Sequence, residues 1–418
     1  MALESLIRFA RQVLPGKTEP KSPWRTPVLL DRGALGGACL DLDDQGHGSA
    51  VWENGGSLWT MPVGPRSSPG IVRLPLGEGT NPQIMLNSDG RGIALWQTQA
   101  GPEQQILGKI FGGTAESAQL IFRTEGQVRH LQAAVDRRGN ASVMWLLELG
   151  GRTEVMTLAF DMRSLSWEPE PTTLGIPSSP TAEPRIALNY RQNAMVLWEV
   201  DGSGSEGLVA SHYWPSDRIW SDRPMPVVSR ATHNHQVAMD DLGNALAIWI
   251  HTPHGQRSHL EASYYDGQRC EWGEPEVLAT AQTFSFPRLA MAGNGEAFAA
   301  WGQAEGQAVS RLVTKFFAKG RWAEGLEFLE LGQGQVRDFA IDMGPDGRAG
   351  ILATHRGPEG DWVSGRLRKK EWSASFPLAL PAPSPCSSPR IRLCRHGASA
   401  LWVQGVGTQG SLLLVESR

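Results

Sequence analysis

Short runs of alternating apolar and polar residues occur throughout the chain, and a run of small apolar residues follows each of them. In the stretch HQVAMDDLGNALAIW, Val237 and Met239 alternate with Gln236 and Ala238. A period of two predicts a strand with one buried face. The uninterrupted apolar run that ends at Trp249 predicts a strand buried on both faces. Together the two runs predict a β-hairpin.

An Asp or Asn residue opens the turn in five of these hairpins. Its side chain can accept hydrogen bonds from the amides of the turn, and the glycine that follows can adopt a positive φ angle. The residues in this place are Asp43, Asn87, Asp136, Asn189 and Asp240.

The hairpin pattern occurs eight times, with seven copies ending in tryptophan and one in alanine. The terminal residues are Trp52, Trp96, Trp145, Trp198, Trp249, Trp301, Ala353 and Trp402. Successive spacings are 44, 49, 53, 51, 52, 52 and 49 residues. A period near 50 with four strands in each repeat is typical of β-propeller blades. We therefore predict an all-β, eight-bladed β-propeller of four-stranded antiparallel blades, or seven blades if the unit at Ala353 is degenerate.

An outer-strand signature precedes the first hairpin and is missing after the last one. The stretch CEWGEPEVL around Trp272 is such an outer strand, and SPWRTPVLL around Trp24 resembles it, whereas the last repeat stops at SLLLVESR. We predict that residues 23–30 complete the last blade and close the ring, so that no sheet edge is left open there. Residues 23–418 then form a single propeller domain.

The repeated segments resemble those of a large group of bacterial β-propeller proteins that read PQVAVDxxGNAxAVW. The turns have a more distant resemblance to the Asp boxes of sialidase-type propellers, although the stretch NSDGRGIALW departs from an Asp box after its glycine. The resemblance covers residues 23 to 418 and implies the propeller fold. It specifies no activity, because propellers carry many unrelated functions.

Composition narrows the classes of partner and the compartment. A formal charge of -4 over 418 residues provides no basic surface for nucleic acid. The four cysteines lack CxxC spacing, which favours reduced thiols in a cytoplasmic protein, although Cys386 and Cys394 could pair in an oxidising compartment. Glu4 and Arg8 interrupt what would be the apolar region of a signal peptide. We therefore expect a cytoplasmic protein.

Either arginine or glutamine is the polar residue at the start of six predicted inner strands. Arg185, Arg288 and Arg390 start units four, six and eight, and the other three residues are Gln83, Gln132 and Gln236. We expect a polar ring at one mouth of the central channel, able to bind a carboxylate or phosphate; the alternative is a ring that only solvates the channel. Sialidase-type propellers use an arginine triad on inner strands to bind such a group, together with a Tyr and Glu pair that forms the nucleophile. No such pair is placed here, because Tyr190 falls in a turn at the opposite end of its blade.

Two smaller sets of residues suggest additional sites. His233, His251 and His254 could converge on zinc or copper if the turn sets His233 opposite His251, and otherwise they are solvent-exposed loop histidines with no cofactor. The repeated tryptophans should pack between blades rather than bind sugar. Three tryptophans outside the repeat pattern are candidates for contact with a partner: Trp59, Trp214 and Trp362.

Residues 1–16 have an apolar stripe typical of an amphipathic helix, with Leu3, Leu6, Ile7, Ala10, Val13 and Leu14 recurring at intervals of three and four. Such a helix could pack on the propeller or dock on a partner or a membrane surface, although its few charges disfavour membrane binding. The sequence as a whole predicts a non-enzymatic scaffold that presents a loop-rich face to a protein partner or an anionic ligand. The alternative is a lectin or a sialidase-like hydrolase.

Overall fold

The protein is built from eight antiparallel sheets arranged as the blades of a propeller, as the repeat predicts. The computed structural model describes residues 22–64, 72–111, 117–179, 181–201, 206–304, 311–329, 334–379 and 381–417. Within these ranges the regular secondary structure consists of strands and one 3-10 turn at Gly407–Gln409. No helix in the described ranges has the length and hydropathy needed to cross a membrane. The predicted helix at residues 1–16 lies outside the described residues.

Each blade runs from an inner strand beside the axis to an outer strand at the rim. The inner strands of blades 1 to 8 are Leu35–Leu42, Thr80–Leu86, Gln127–Val135, Arg185–Leu188, His233–Met239, Thr283–Met291, Gln335–Met343 and Cys386–Cys394. The second strands are Gly48–Asn54, Gly92–Ala100, Ala141–Leu149, Ala194–Val200, Ala245–His251, Ala297–Ala304, Ala349–Gly357 and Gly397–Gln404. The third strands are Ser57–Val63, Glu103–Phe111, Arg152–Asp161, Gly207–Trp214, Ser258–Asp266, Arg311–Ala318, Gly360–Arg368 and Gly410–Glu416.

The outer strands are less regular than the other three. Blades 1, 2, 7 and 8 have one outer strand each: Leu74–Glu78, Gln119–Thr124, Phe376–Pro377 and Val28–Gly33. In blades 3 to 6 the outer strand is split into two short pieces that both pair with the third strand. The pieces are Ser166–Trp167 and Thr172–Gly175, Ile219–Trp220 and Met225–Val228, Glu271–Trp272 and Glu276–Ala281, and Arg321–Trp322 and Glu327–Leu329.

The ring closes as predicted, because a strand from the beginning of the chain completes the last blade. Val28–Gly33 pairs antiparallel with Gly410–Glu416, and Trp24 forms a further bridge to Ser417. Trp24 is 0% exposed and lies in one apolar cluster with Trp402. The closing strand is therefore anchored by apolar burial as well as by backbone hydrogen bonds.

The repeated tryptophans pack between adjacent blades, as predicted. Trp301 of blade 6, for example, lies in one cluster with Leu246 and Ile248 of blade 5. In blade 7 the tryptophan position is Ala353, and Phe339 lies directly opposite on the inner strand and is 1% exposed. The phenylalanine supplies apolar volume that the alanine lacks, so the seventh unit is a complete blade and the count of eight is confirmed.

The hairpin turns have the predicted capping geometry. Asp240 Oδ1 accepts hydrogen bonds from the amides of Leu242 and Asn244 over 2.9 and 2.8 Å. Gly243 has a φ angle of 91°, a left-handed conformation that glycine adopts without steric cost. Asn244 extends the network, since its Nδ2 donates to Asp240 Oδ2 and its Oδ1 accepts the amide of Gly267 in the next turn of the same blade.

A β-bulge lies near the start of seven inner strands, a feature that the repeat pattern did not predict. In blade 5, for example, the pairing register shifts between His233 and Gln236. Four residues at the bulge have positive φ angles: Asn81, His130, Asn234 and Ser388. The bulge accommodates prolines such as Pro82, which have no N–H group to donate to the neighbouring strand. It also bends the strand and changes the direction of the side chain that follows, compared with a regular strand.

All four cysteines are free thiols. Cys386 and Cys394 form the two ends of a single strand, so the alternative that they pair is wrong. An extended strand of this length holds its ends on the order of 25 Å apart, far beyond the reach of a disulfide.

Candidate functional site at the channel mouth

The six predicted channel residues occupy one structural position of the repeat. Each lies on an inner strand opposite the residue that precedes the repeated tryptophan; Arg185, for example, lies opposite Leu197. We call the eight residues in this position the channel ring. In blade order they are Cys39, Gln83, Gln132, Arg185, Gln236, Arg288, Ala340 and Arg390.

Two ring glutamines link neighbouring blades. Gln132 Nε2 donates to the carbonyl of Pro184 over 3.0 Å, and Gln83 Nε2 donates to the carbonyl of Leu131. Both acceptors lie on or beside the inner strand of the next blade, so these amides satisfy carbonyls on the edge that faces the channel. At blades 2 and 3 the ring is therefore structural.

The three ring arginines have different degrees of charge compensation. Arg185 Nη2 donates to Glu183 over 2.5 Å, and Arg288 Nη2 lies 3.6 Å from the carboxylate of Asp338 on the next blade. Arg390 is exposed and donates to the carbonyl of its preceding residue over 2.9 Å. Among the described residues, no carboxylate lies within ion-pairing distance of Arg390. One guanidinium group of the ring is therefore available to a ligand.

The arginines lie close enough to act on one another electrostatically. Burial lowers the pKa of Arg288, Asp338 opposes this effect, and the positive charges of Arg185 and Arg390 lower the pKa further. The structure thus brings the three predicted residues into one basic cluster. An anion bound among them would relieve the mutual repulsion.

Glu183 and His130 also belong to this mouth, and the sequence analysis missed both. Burial raises the pKa of Glu183, but Arg185 and then His130 and Arg288 lower it more, so the net shift is downward. Burial also lowers the pKa of His130, which Glu183 raises and Arg185 lowers. Each of the two residues stands two positions before a ring residue, so aligning the repeats on the ring would have found them.

The predicted histidine pairing is wrong by one residue. His233 lies opposite Ile250 rather than His251, because the bulge adds a residue between His233 and Gln236. His251 instead lies opposite His259 on the third strand, and its Nδ1 is 2.9 Å from the carbonyl of Ala231. Within the described ranges, no three His, Cys, Asp or Glu side chains are placed to hold a metal ion.

His254 is exposed in the loop that follows the second strand of blade 5. The described structure gives no support for a zinc or copper site at His233, His251 and His254.

The three tryptophans outside the repeat pattern have different surroundings. Trp362 is 2% exposed and stacks on His355 with ring centroids 4.0 Å apart, so its prediction as a partner contact is wrong. Trp59 is half-buried, and the Arg73 guanidinium lies 4.1 Å from its ring centroid. Trp214 is also half-buried. Trp59 and Trp214 thus remain candidates for contact with a partner.

Comparison with known proteins supports the fold. No protein-family model matches the chain, and no curated protein has significant similarity to it. The Dos1 propeller matches with a TM-score of 0.52 at 10% identity, over 94% of this chain and 94% of that one. An ulvan lyase bound to -[GlcA(1-4)Rha3S]- has a TM-score of 0.52 at 10% identity, over 85% of this chain and 98% of that one.

The WD40 domain of SCAP from fission yeast has a TM-score of 0.49 at 10% identity and covers 96% of each chain. The matched proteins differ in function, and at this level of identity their similarity to the chain concerns architecture alone. The chain is a β-propeller.

Proposed function

We propose that the protein is a non-enzymatic binding scaffold whose channel mouth holds an anionic group of a partner or ligand. The observation that supports this function is the placement of Arg185, Arg288 and Arg390 at one register position of alternate blades. Because eight blades encircle one axis, alternate blades lie about a quarter-turn apart. An anion on the axis can therefore meet guanidinium groups from three directions, and guanidinium binds carboxylate and phosphate through paired hydrogen bonds.

Two positions favour a scaffold over the lectin and hydrolase alternatives. Tyr190, a residue type that a sialidase-like nucleophile would need, lies in the turn between Arg185–Leu188 and Ala194–Val200, at the other end of the blade from the ring. The repeated tryptophans are almost fully buried and therefore provide no exposed ring for a sugar to stack on.

Anion binding at the ring can be tested with citrate and sulfate as probes. We expect both anions to raise the melting temperature of the wild-type protein more than sodium chloride does at the same ionic strength. Arg390→Gln installs the residue found in blades 2, 3 and 5. It should weaken citrate binding about tenfold or more, because it removes a charge-assisted hydrogen bond.

Arg123→Gln is the matched control, since Arg123 is exposed on the outer strand of blade 2, away from the ring. This variant should bind citrate as the wild type does. An anion-induced shift that is absent from the wild type, or equal in Arg390→Gln, would count against the proposed function.

A further inference from the structure

A second candidate site lies between blades 3 and 4, on the face that carries the hairpin turns. A cavity of about 250 Å³ opens there, and its lining includes Ala159, Trp167, Glu168, Gln192, Tyr213 and Arg218. The site is separate from the channel mouth, because the residues of its lining lie in the turns and outer strand at the other end of the blades.

The cavity exists because blade 3 departs from its own repeat. Phe160, Tyr213 and Tyr265 occupy one position of the third strand, each lying opposite the first alanine of its second strand. The residue before this aromatic is large in four other blades: Ile110, His212, Tyr264 and Phe316. In blade 3 it is Ala159.

The large residue fills the space between blades wherever it is present. His212 Nδ1 lies 3.2 Å from the Tyr265 hydroxyl between blades 4 and 5, and Tyr264 stacks on Phe317 between blades 5 and 6 at a centroid distance of 5.7 Å. Ala159 cannot fill the equivalent space in front of Tyr213. The cavity thus forms because the large side chain that fills this space between other blades is absent from blade 3.

Gln192 is the second departure that faces the cavity. It has a φ angle of 69° at the third position after the residue that opens the turn. Six other blades also have a left-handed residue at this position, and in each of them it is a glycine. Those glycines are Gly46, Gly90, Gly139, Gly243, Gly295 and Gly347. A left-handed conformation costs a non-glycine residue on the order of 1 kcal/mol. Blade 4 thus accepts backbone strain and places a side chain at the edge of the cavity, where the repeat would place a glycine.

Glu168 is the third departure. Its backbone amide bonds to the third strand, and the residues that make the equivalent bond in blades 4 to 7 are small: Ser221, Gly273, Ala323 and Ser373. A long carboxylate side chain replaces them only at this cavity. The side chain at this position accepts the third-strand amide in blade 3 as the hydroxyls of Ser221 and Ser373 do in blades 4 and 7, but in blade 3 it also brings a negative charge. Three departures from the internal repeat therefore meet at one place.

The charges in the cavity leave one carboxylate without a cation. Asp161 and Arg218 compensate each other at 3.3 Å. Glu168 Oε2 accepts the amide of Ala159 over 3.1 Å, but among the described residues no cation lies within ion-pairing distance of it. Burial raises the pKa of Glu168 despite this hydrogen bond and the more distant charge of Arg218. A bound cation would favour the ionised carboxylate.

We propose that this cavity binds an aliphatic ammonium group, with Glu168 as the charge partner and the rings of Trp167 and Tyr213 beside it. Aromatic rings attract cations, and an ammonium group is compact enough for a cavity of this size. The ammonium group belongs either to a free small amine or to a lysine side chain of a partner protein.

Saturation-transfer difference NMR at neutral pH can test this site with two probes, n-butylamine and Nα-acetyl-lysine methylamide. We expect the wild type to bind at least one probe. Ala159→Ile installs the residue of blade 2 and fills the cavity, while Glu168→Gln removes the charge. Each should weaken binding at least tenfold. Glu170→Gln changes an exposed carboxylate two residues away and should bind as the wild type does.

The two probes distinguish the sources of the ammonium group. Binding of the lysine derivative indicates a protein partner, and binding of n-butylamine alone indicates a free amine. The proposal is overturned if folded wild-type protein binds neither probe, or if Ala159→Ile binds as well as the wild type. It is also overturned if the Nε-acetylated lysine derivative, which carries no charge, binds equally well.

Discussion

Arg392 Nε in blade 8 donates a hydrogen bond to Asp41 Oδ1 in blade 1 over 2.9 Å, although the two residues are 351 positions apart in the chain. The same guanidinium group lies 3.7 Å from the carboxylate of Asp342 in blade 7. Asp342 Oδ2 in turn accepts the amide of Leu393 over 2.7 Å. A single cation thus connects three consecutive blades across the join between the two ends of the chain.

Replacing Arg392 should destabilise the ring, because it leaves two largely buried carboxylates without their cation. A fully buried pair would cost more, but the Arg392 side chain is 38% exposed, so we expect Arg392→Gln to lower the free energy of unfolding by about 1–3 kcal/mol. Urea unfolding would measure the loss. Arg395→Gln removes a more exposed ion pair to Asp44 at the same join and should cost less than about 1 kcal/mol. Equal losses would show that Arg392 has no special role in closure.

The stability contributed by Asp342 should depend on pH. Burial raises its pKa to about 6, with Arg392 opposing the shift. Because the folded pKa lies above the unfolded value, the folded state favours the protonated acid. This stabilisation is present below pH 3.8 and is lost as pH rises through about 6.

Asp342→Asn removes this titration. The variant should match the wild type near pH 4 and exceed it at neutral pH by up to roughly 3 kcal/mol in free energy of unfolding. Urea unfolding at several pH values would test this. A difference between the two proteins that is constant with pH would disprove it.

His355 should make the protein sensitive to acid. The side chain is 1% exposed, and burial lowers its pKa to about 3. In the unfolded chain the imidazole of His355 takes up a proton near pH 6.5, whereas in the folded chain it stays neutral until about pH 3. Stability is therefore lost as pH falls below 6.5. The cost reaches up to roughly 3 kcal/mol near pH 4.5.

His355→Phe keeps an aromatic ring against Trp362 and should flatten the dependence of unfolding free energy on pH in this range. Ser364→Ala is the control, since it removes the 2.7 Å hydrogen bond to His355 Nε2 but leaves the imidazole in place. It should retain the acid sensitivity. If both variants lose stability in acid as the wild type does, the sensitivity arises at another residue.

Gln192 and Gly243 occupy the same turn position in blades 4 and 5 and allow a reciprocal test of backbone strain. Gln192→Gly should raise the free energy of unfolding by up to about 1 kcal/mol, because relief of the left-handed conformation outweighs the entropy that glycine gains on unfolding. Gly243→Gln should lower it by a similar amount, since only one atom lies as close as 4.0 Å to the position of an added Cβ. Thermal unfolding of both variants would measure the effects, and changes of the same sign would refute the argument.

Much of the fold could be predicted because the chain repeats its own pattern. The turn at Asp240 and the closing strand around Trp24 followed from residue types at fixed spacings. The bulge between His233 and Gln236 did not, because it inserts a residue without changing the alternation on either side of it. That single insertion was enough to misplace His233 relative to His251.

The candidate sites were predictable only where the repeat superimposes residues from different blades. Arg288 and Arg390 could be placed together because inner strands meet at one axis. The ion pair with Asp338 depends on how far a side chain reaches, which spacing alone does not give. The cavity at Ala159 required an alignment of third strands, where a small residue becomes meaningful only beside the larger ones of the other blades.

The pairing of Val28–Gly33 with Gly410–Glu416 has a consequence for how the molecule is made. The ribosome makes the closing strand before blades 1 to 7 and its partner after them, so the nascent chain carries an unpaired β-edge until the partner strand is made. Blades 1 to 7 can assemble one after another behind it, but the circle is sealed only when Gly410–Glu416 leaves the exit tunnel. In a circular permutant that starts at another link between blades, a different pair of strands would stay unpaired until the end of synthesis.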